Sequence, residues 1–523
     1  MRRTAVVTGA LCGVVAGAVV LGVATLVAAL MDRSGRVGGT ASPLVAVGSA
    51  FVDRTPRWLK EAAVSAFGTA DKVALWVGMA LVLTALAALV GIVAVRALRG
   101  GLLLLAALGA VACAAVLTRP GSQPTDALAT LVGVVAGTAA LAWLVRRARR
   151  AGAAGSAVSP RAWGPPLERR DLVLGYAGLT AMAVAAAAAG QALGGRARSV
   201  AASRAAVRLP AVARPVVVPA AASLDVPGLT PFLVPTADFY RIDIALAVPQ
   251  VSTGDWRLRV HGLVEREVEL RWEDLLAAPL REALVTLACV SNEVGGDLVG
   301  NARWTGWPVR ELLARAGPLP GADMVLSSGA DGFSAGTPLA ALTDGRDALL
   351  AVGMNGRPLP VEHGFPVRLV VPGLYGYVSA TKWLTELKVT RFADDAGYWT
   401  PRGWSALGPV KTSSRIDVPR RGATVQRSPD GLVVVAGVAW AQHRGIDAVE
   451  VAVDDGPWQR AELAAEPTTD AWRAWRLRWA ASPGEHVLTV RAGDGTGAVQ
   501  TSAQAPPAPD GATGLHRVEV TVT

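Results

Sequence analysis

Hydrophobic positions are spread unevenly along this 523-residue chain: they run together before about residue 195 and are punctuated after it. Five nearly charge-free stretches, at about 5–31, 73–95, 101–117, 127–145 and 171–193, are each close to the length of helix that crosses a hydrocarbon core of roughly 30 Å. They predict five spanning helices within 1–195. From 196 to 235, Ala, Pro and Val with scattered Arg predict a linker with little core of its own. Further on, WRLRVHGLVEREVEL (256–270) alternates as a half-buried strand does, and WEDLLAAP (272–279) reads as a short helix with acidic residues near its start. ALVTLACV (283–290) reads as a continuous apolar strand. Short strands, Gly/Pro punctuation and brief helices continue to 418, so 236–418 is predicted to be α+β. In 419–523, VVVAGVAW, AVEVAVDDGPWQRAEL, AWRAWRLRWA, GEHVLTVRAGD and HRVEVTVT alternate with Gly, Asp and Pro turns. That spacing predicts an immunoglobulin-like β-sandwich without a disulfide, with Trp458, Trp472, Trp475 and Trp479 as core and interface residues.

Charge adds orientation. Arg2 and Arg3 precede the first stretch, Arg96 and Arg99 lie between the second and third, and Arg146, Arg147, Arg149, Arg150, Arg161, Arg169 and Arg170 lie between the fourth and fifth. The alternate loops carry mixed charge (Asp32, Arg33, Glu61, Asp71; Arg119, Asp126), which places the N-terminus in the cytoplasm and everything after about 195 outside, in a multi-pass protein of the cell membrane. Arg196, Arg198, Arg204 and Arg208 run against the rule locally, as a long translocated domain permits. The net charge of +10 is mostly these loop arginines, so it reports topology; with no basic stripe carrying interleaved aromatics, nucleic-acid binding is set aside. Arg169-Arg170 before an Ala/Gly-rich apolar helix resembles a twin-arginine export signal, which suits a domain that acquires a cofactor before crossing. The five histidines, His261, His363, His443, His486 and His516, all lie outside the apolar stretches, which argues against an axially ligated membrane haem. The stretches read as anchor and partner surface.

Cys289 is the one cysteine outside the apolar third, and it sits in the Gly/Asn-rich segment TLACVSNEVGGDLVGNARWTGWPV (286–309). A thiol in so polar a setting reads as a nucleophile or a metal ligand rather than as core. Three blocks then carry a family resemblance: FYRIDIALAVPQVSTGDWRLRVHGLV (239–264), LACVSNEVGG…VGNARWTGWPVRELL (287–313) and AVGMNGRPLPVEHGFPVRLVVPGLYGYVSATKWL (351–384). With them the chain resembles the sulfite oxidase superfamily of molybdopterin enzymes over about 239–391, and the terminal sandwich resembles that family's dimerisation domain.

The resemblance implies an α+β sulfite-oxidase-type molybdopterin domain and a Mo-molybdopterin cofactor, with Cys289 as the metal's protein ligand; soft sulfur suits such a site. It implies that His363 and Arg368 contact the pterin and its phosphate, and that Ala380, Thr381 and Lys382 clasp the phosphate end. Tyr240, Arg241 and Ser328 are implied as further cofactor contacts, with Ser291 and Asn292 as hydrogen-bonding groups near the metal. A guanidinium is well matched to bidentate phosphate binding. Sulfite-oxidising relatives hold their dianion with several arginines and a tyrosine. Here VSNEVGGD follows the cysteine, with Glu293 and Asp297 where basic residues are expected, and Arg303 and Tyr398 stand as the catalytic counterparts.

The expected protein is a membrane-anchored oxidoreductase with an extracytoplasmic catalytic domain. It would transfer an oxygen atom to or from a small-molecule substrate, exchange electrons with a separate protein or quinone, and dimerise through the C-terminal domain. A periplasmic-type methionine sulfoxide reductase and a degenerate non-catalytic binding module are the rivals. The anchor itself also stands against a transporter or sensor role, for which the absence of ionisable residues within the stretches gives no support.

Overall fold

The computed structural model describes residues 2–33, 42–55, 71–119, 122–156, 167–198, 200–212 and 215–523. Glu61 and Arg161 lie outside the described residues, as do the side chains of Arg2, Arg3, Arg33, Asp71, Arg169, Arg196 and Arg198. The chain divides into two compact units, one comprising Met1–Ser199 and Ala245–Ala247, the other Val200–Ile244 and Val248–Thr523.

In the first unit, each predicted stretch is a helix long and apolar enough to cross a membrane: Ala5–Asp32, Val73–Arg96, Leu98–Leu117, Pro124–Arg150 and Arg170–Gly194. The first helix, Arg2–Arg33, packs against the helices Asp71–Arg96, Ala127–Ser156 and Leu167–Arg198. Small residues let the backbones meet: a Cβ on Gly13 would lie 1.9 Å from the Ala87 carbonyl oxygen, and one on Gly91 2.0 Å from that of Gly9. The third helix begins three residues earlier than its apolar run suggests, because only Ala97 separates it from the second. Arg149 closes that junction by donating to the carbonyls of Ala94 and Val95 at the helix end. An additional short helix, Pro43–Arg54, was not apparent from the pattern of the sequence; it buries Ala46 and Ala50 against Ala115 and Val116.

The second unit holds a mixed sheet, an antiparallel sheet and a sandwich. One sheet runs Val268–Arg271, Arg257–Gly262, Leu384–Thr390, Met324–Gly329, Ser334–Pro338 in spatial order. The other runs Arg281–Ala288, Val299–Pro308, Leu349–Met354, Arg357–Pro358, with Arg368–Val370 also paired to Leu349–Met354. A single apolar core containing Trp256, Trp304, Trp307 and Phe365 joins them. The apolar strand entering the Cys289 loop (Arg281–Ala288) and the helix Trp272–Ala277 form where the sequence places them.

Three expectations need correction. The alternating stretch 256–270 is a hairpin of Arg257–Gly262 with Val268–Arg271 rather than one strand. Gly262 turns the chain at φ +95°, and a Cβ there would come within 2.3 Å of the Val389 carbonyl oxygen. The segment read as a linker lays Val207, Ala222, Phe232 and Val234 into the core from residue 200 onward. Such a chain builds no core of its own, yet its scattered apolar side chains dock singly into one built by others. Finally, the sandwich begins before 419. Ser413–Val418 is an outer strand of its four-stranded sheet, paired with Leu432–Trp440. The opposing sheet has five strands, and Trp475, Trp479, Val449 and Leu488 lie between the two. Trp472 leaves that core for the neighbouring one, donating its indole N–H to the Phe232 carbonyl.

Candidate functional site

The strand Arg281–Ala288 ends at Cys289, and the loop that follows is pinned at its neck. Cys289 N–H donates to Leu298 O at 2.9 Å, Asn292 N–H donates to Cys289 O, and the Asn292 side-chain oxygen accepts from Leu298 N–H at 2.8 Å. The thiol faces a cavity. Burial raises its pKa above the ordinary cysteine value, and hydrogen bonds from the Ser291 N–H and hydroxyl oppose that shift. Buried and uncharged in isolation, such a sulfur becomes a thiolate readily when a metal takes the proton's place.

The cavity encloses about 920 Å³ of empty space, part of it open to solvent. Its lining is also basic: the 239–244 and 363–382 segments supply Arg241, His363, Arg368 and Lys382. Gly364 permits the tight turn there: at φ +105°, a Cβ would lie 3.1 Å from Lys382 Cα. Asp243, almost fully buried, bridges Arg241 at 2.8 Å and Lys382 at 2.9 Å. Arg368 is different. Only 5% exposed, it donates to the backbone carbonyls of His363, Ala380 and Leu369 and lies over the Trp304 ring at 5.1 Å. Among the described residues no carboxylate pairs with it. A buried cation without a counter-ion is costly, so a site of this kind is completed by an anion from outside the chain.

The titrations follow from burial. The Arg368 pKa is lowered to about 10 by burial and stays charged at neutral pH. Lys382 is lowered to about 8 by burial, against the pull of Asp243. His363 falls to about 4 through burial and then the charges of Arg368, Lys382 and Arg241, and is therefore a neutral imidazole. Burial raises the Tyr240 phenol well above its usual range, keeping it a proton donor. Asp331, which also lines the cavity, rises to about 6 through burial.

The rest of the lining is largely aromatic and apolar: Phe239, Val290, Phe333, Tyr377, Trp399 and Trp404. Trp404 lies 5.9 Å from the Tyr377 ring and 6.3 Å from that of Trp399.

The structure thus brings Cys289, Tyr240, Arg241, Ser291, His363, Arg368, Ala380 and Lys382 into one cavity, and leaves five expected residues outside it. Arg303 pairs across the sheet with Leu284, five residues up the strand from Cys289 and so about 17 Å away along it. Its guanidinium approaches Glu282 at 3.8 Å instead. Tyr398 stands behind the wall, its ring against Phe333 and Trp399 and under the Arg402 guanidinium. Asn292 closes the cysteine loop. Thr381 is fully buried and hydrogen-bonds Ser327, while Ser328 sits mid-strand with its carbonyl accepting from Thr385. Glu293 and Asp297 are exposed and line no part of the cavity.

Sequence reasoning missed Asp243, Asp331, Trp399 and Trp404. Asp243 was legible in principle, since Arg241 and Asp243 share one side of an extended segment. Asp331 is hidden in a turn sequence, Asp331-Gly332-Phe333, where an aspartate is unremarkable; its carboxylate accepts the Phe333 N–H.

These residues fit molybdopterin: one large cavity is lined by a soft sulfur and by an unpaired buried guanidinium with a lysine and a neutral histidine. Comparison with known proteins agrees. The family described as oxidoreductase molybdopterin binding domain matches residues 245–399. Mitochondrial sulfite oxidase of Rattus norvegicus is 33% identical over 280 residues, covering 45% of this chain and 50% of that protein. The uncharacterized oxidoreductase YuiH of Bacillus subtilis is 32% identical over 175 residues, covering 32% of this chain and 85% of that protein. Among solved structures, the sulfane dehydrogenase SoxCD from Paracoccus pantotrophus superposes with a TM-score of 0.47 at 25% identity, covering 55% of this chain and 81% of that one. The chain spans about half the length of the sulfite oxidases it matches. On the cysteine loop, the basic cluster, the family match and the sequence relatives, the chain belongs to the sulfite oxidase superfamily of molybdopterin oxidoreductases.

Proposed function

We propose that this protein is a membrane-anchored molybdenum oxidoreductase that transfers an oxygen atom to or from a small molecule outside the cytoplasm. The observation carrying the reading is that the Cys289 thiol and the unpaired buried Arg368 guanidinium open into the same cavity. Bound there, molybdopterin supplies a metal that changes by two electrons as an oxygen atom is gained or lost. The chain's own part is to hold and orient. Cys289 gives the thiolate ligand; Arg368, Lys382 and Arg241 clamp the phosphate end; the neutral His363 adds no charge to the clamp; Tyr240 offers a phenolic proton; the aromatic wall keeps water from the reacting end.

The anchor is the set of five apolar helices, with the N-terminus cytoplasmic and the second unit outside. The Arg169-Arg170 pair serves export of a domain already loaded with cofactor. Electrons pass to or from a separate redox protein or a quinone, and the immunoglobulin-like sandwich makes a homodimer. A second reading, reduction of an uncharged sulfoxide, is favoured by the cavity's polarity. Beyond the three cations assigned to the cofactor clamp, its lining carries no further one. A dianion such as sulfite needs a cationic clamp at the reacting end; an uncharged oxide does not.

The test is metal analysis of the purified full-length protein, then assay with sulfite and with alkyl or aryl sulfoxides using a dye as electron partner. Stoichiometric molybdenum with turnover of either class supports the reading. Absence of molybdenum after cofactor-replete expression points to a non-catalytic binding module instead.

A further inference from the structure

The sandwich grips the cysteine-bearing segment at both ends. The strand Arg281–Ala288 is the edge of its sheet, so one side of its backbone has no strand partner. The sandwich covers that side at Thr286, three residues before Cys289. Thr286 N–H donates to Asp470 O at 3.0 Å, its carbonyl accepts from the Gln442 side chain at 2.9 Å, and its hydroxyl accepts from Trp472 N–H at 2.8 Å. The same hydroxyl donates to Asn301 Oδ1. On the far side of Cys289, Arg415 reaches into the loop and donates to Gly296 O at 2.8 Å. Its guanidinium is fixed by Asp417 at 2.6 Å and by the Thr230 hydroxyl at 3.0 Å. Beside it, the His516 ring fills the space where a Cβ on Gly295 would sit, 2.3 Å away, and accepts the Ile416 N–H.

We infer that Arg415 and Thr286 are positioning residues through which the C-terminal sandwich sets the orientation of the Cys289 sulfur, a task distinct from dimerisation. The Thr286 contact is buried and the Arg415 contact part-buried. Arg415 and Asp417 are each about a tenth exposed, so their pair is little weakened by solvent. A loop of ten residues held only at its neck would otherwise let the sulfur swing. With the neck bonds at 289–298 and the sandwich bonds at 286 and 296, the ligand is fixed from three directions. This rests on the assignment of Cys289 as the metal ligand.

The test uses the full chain in detergent, cofactor-free and molybdenum-loaded, in Arg415→Ala, Arg415→Lys and Thr286→Val variants. Arg476→Ala, which removes an exposed partner of Glu462 on the sandwich, is the control. Hydrogen exchange of the 290–298 amides should rise about tenfold in Arg415→Ala, as loss of one charge-assisted hydrogen bond gives. Thr286→Val should give a smaller rise, Arg415→Lys an intermediate one, and the control none. In the loaded protein, the molybdenum EPR signal should shift in Arg415→Ala and Thr286→Val and stay unchanged in the control. Exchange and signal equal to the parent in both Arg415→Ala and Thr286→Val would overturn the inference, as would a rise spread evenly over both sheets. If Arg415→Ala fails to fold, Thr286→Val decides alone. If X-ray absorption of the loaded parent finds no Cys289 sulfur on molybdenum, the family assignment of that residue fails separately, whatever the exchange data give.

Discussion

The charged and the aromatic parts of one cavity lining are built on opposite principles. Among the charged residues, Arg241 and Lys382 share the bridging carboxylate of Asp243 while the buried Arg368 has none, so positive charge is in excess. The remaining lining, which Cys289 shares with Phe333, Tyr377, Trp399 and Trp404, adds no further cation. The difference separates two tasks that family resemblance alone runs together. On the proposed function, the charged part answers to the cofactor, whose phosphate is the same whatever the reaction, and the aromatic part answers to the substrate. Identity to sulfite oxidases is therefore informative about the first and nearly silent about the second.

The largest effect should come from the sulfur itself. Cys289→Ser keeps the shape of the loop, because the neck bonds use backbone atoms and Asn292, and should abolish turnover while the thermal unfolding curve stays near the parent's. Undiminished turnover in that variant would remove the cysteine from the chemistry. Next, Arg368→Met should weaken cofactor retention on the order of 10- to 100-fold, the worth of a charge-assisted contact to phosphate. Molybdenum remaining after gel filtration or dialysis measures it. On the proposed function Arg368 clamps the phosphate rather than the metal, so turnover per bound molybdenum should change little; a large fall in that ratio would show that the two tasks are not separate.

Substrate choice should respond to Trp404. Trp404→Ala should lower kcat/KM for an aryl sulfoxide by about tenfold, the scale of a lost ring contact, with molybdenum content unchanged. Trp404→Arg should add the missing cation and raise the ratio of sulfite to sulfoxide turnover. Equal loss on both substrates in both variants would mean that the wall serves packing alone.

Much of this architecture was legible in the sequence, and the misses have physical causes. The five helices were readable because apolar runs of that length have few other uses. That Cys289, His363, Arg368 and Lys382 line one cavity was readable because their motifs fix them relative to glycines and prolines that the turns require. Arg303 was misplaced because nearness to Cys289 along the chain ignores the antiparallel return: the strand carries it away from the thiol to Glu282. Tyr398 was named because sulfite-oxidising relatives carry a tyrosine near that point, yet it is Trp399 that lines the cavity, with the Tyr398 ring packed against it. The contacts of Thr286 and Arg415 with the sandwich join residues far apart in the chain, and no periodicity encodes such a pairing.

The smallest expected effect is also the most specific to the buried charges. Asp331, with its folded pKa raised to about 6, favours the folded state at low pH and loses that contribution as pH rises through about 6. His363, lowered to about 4, does the reverse: its contribution is intact above its ordinary value and is lost as pH falls toward 4. Between about 4 and 6 the falling slope of Asp331 opposes two rising ones, that of His363 and that of His516, which burial also lowers to about 4, so the cofactor-free protein should climb in stability there only in part. Asp331→Asn removes the falling slope and leaves those of the two histidines. The melting temperature of that variant should therefore climb across this window more steeply than the parent's, by a few degrees; thermal unfolding in closely spaced buffers measures it. A climb in the parent as steep as the variant's would mean that Asp331 is ionised throughout, its carboxylate a second counter-ion beside Asp243.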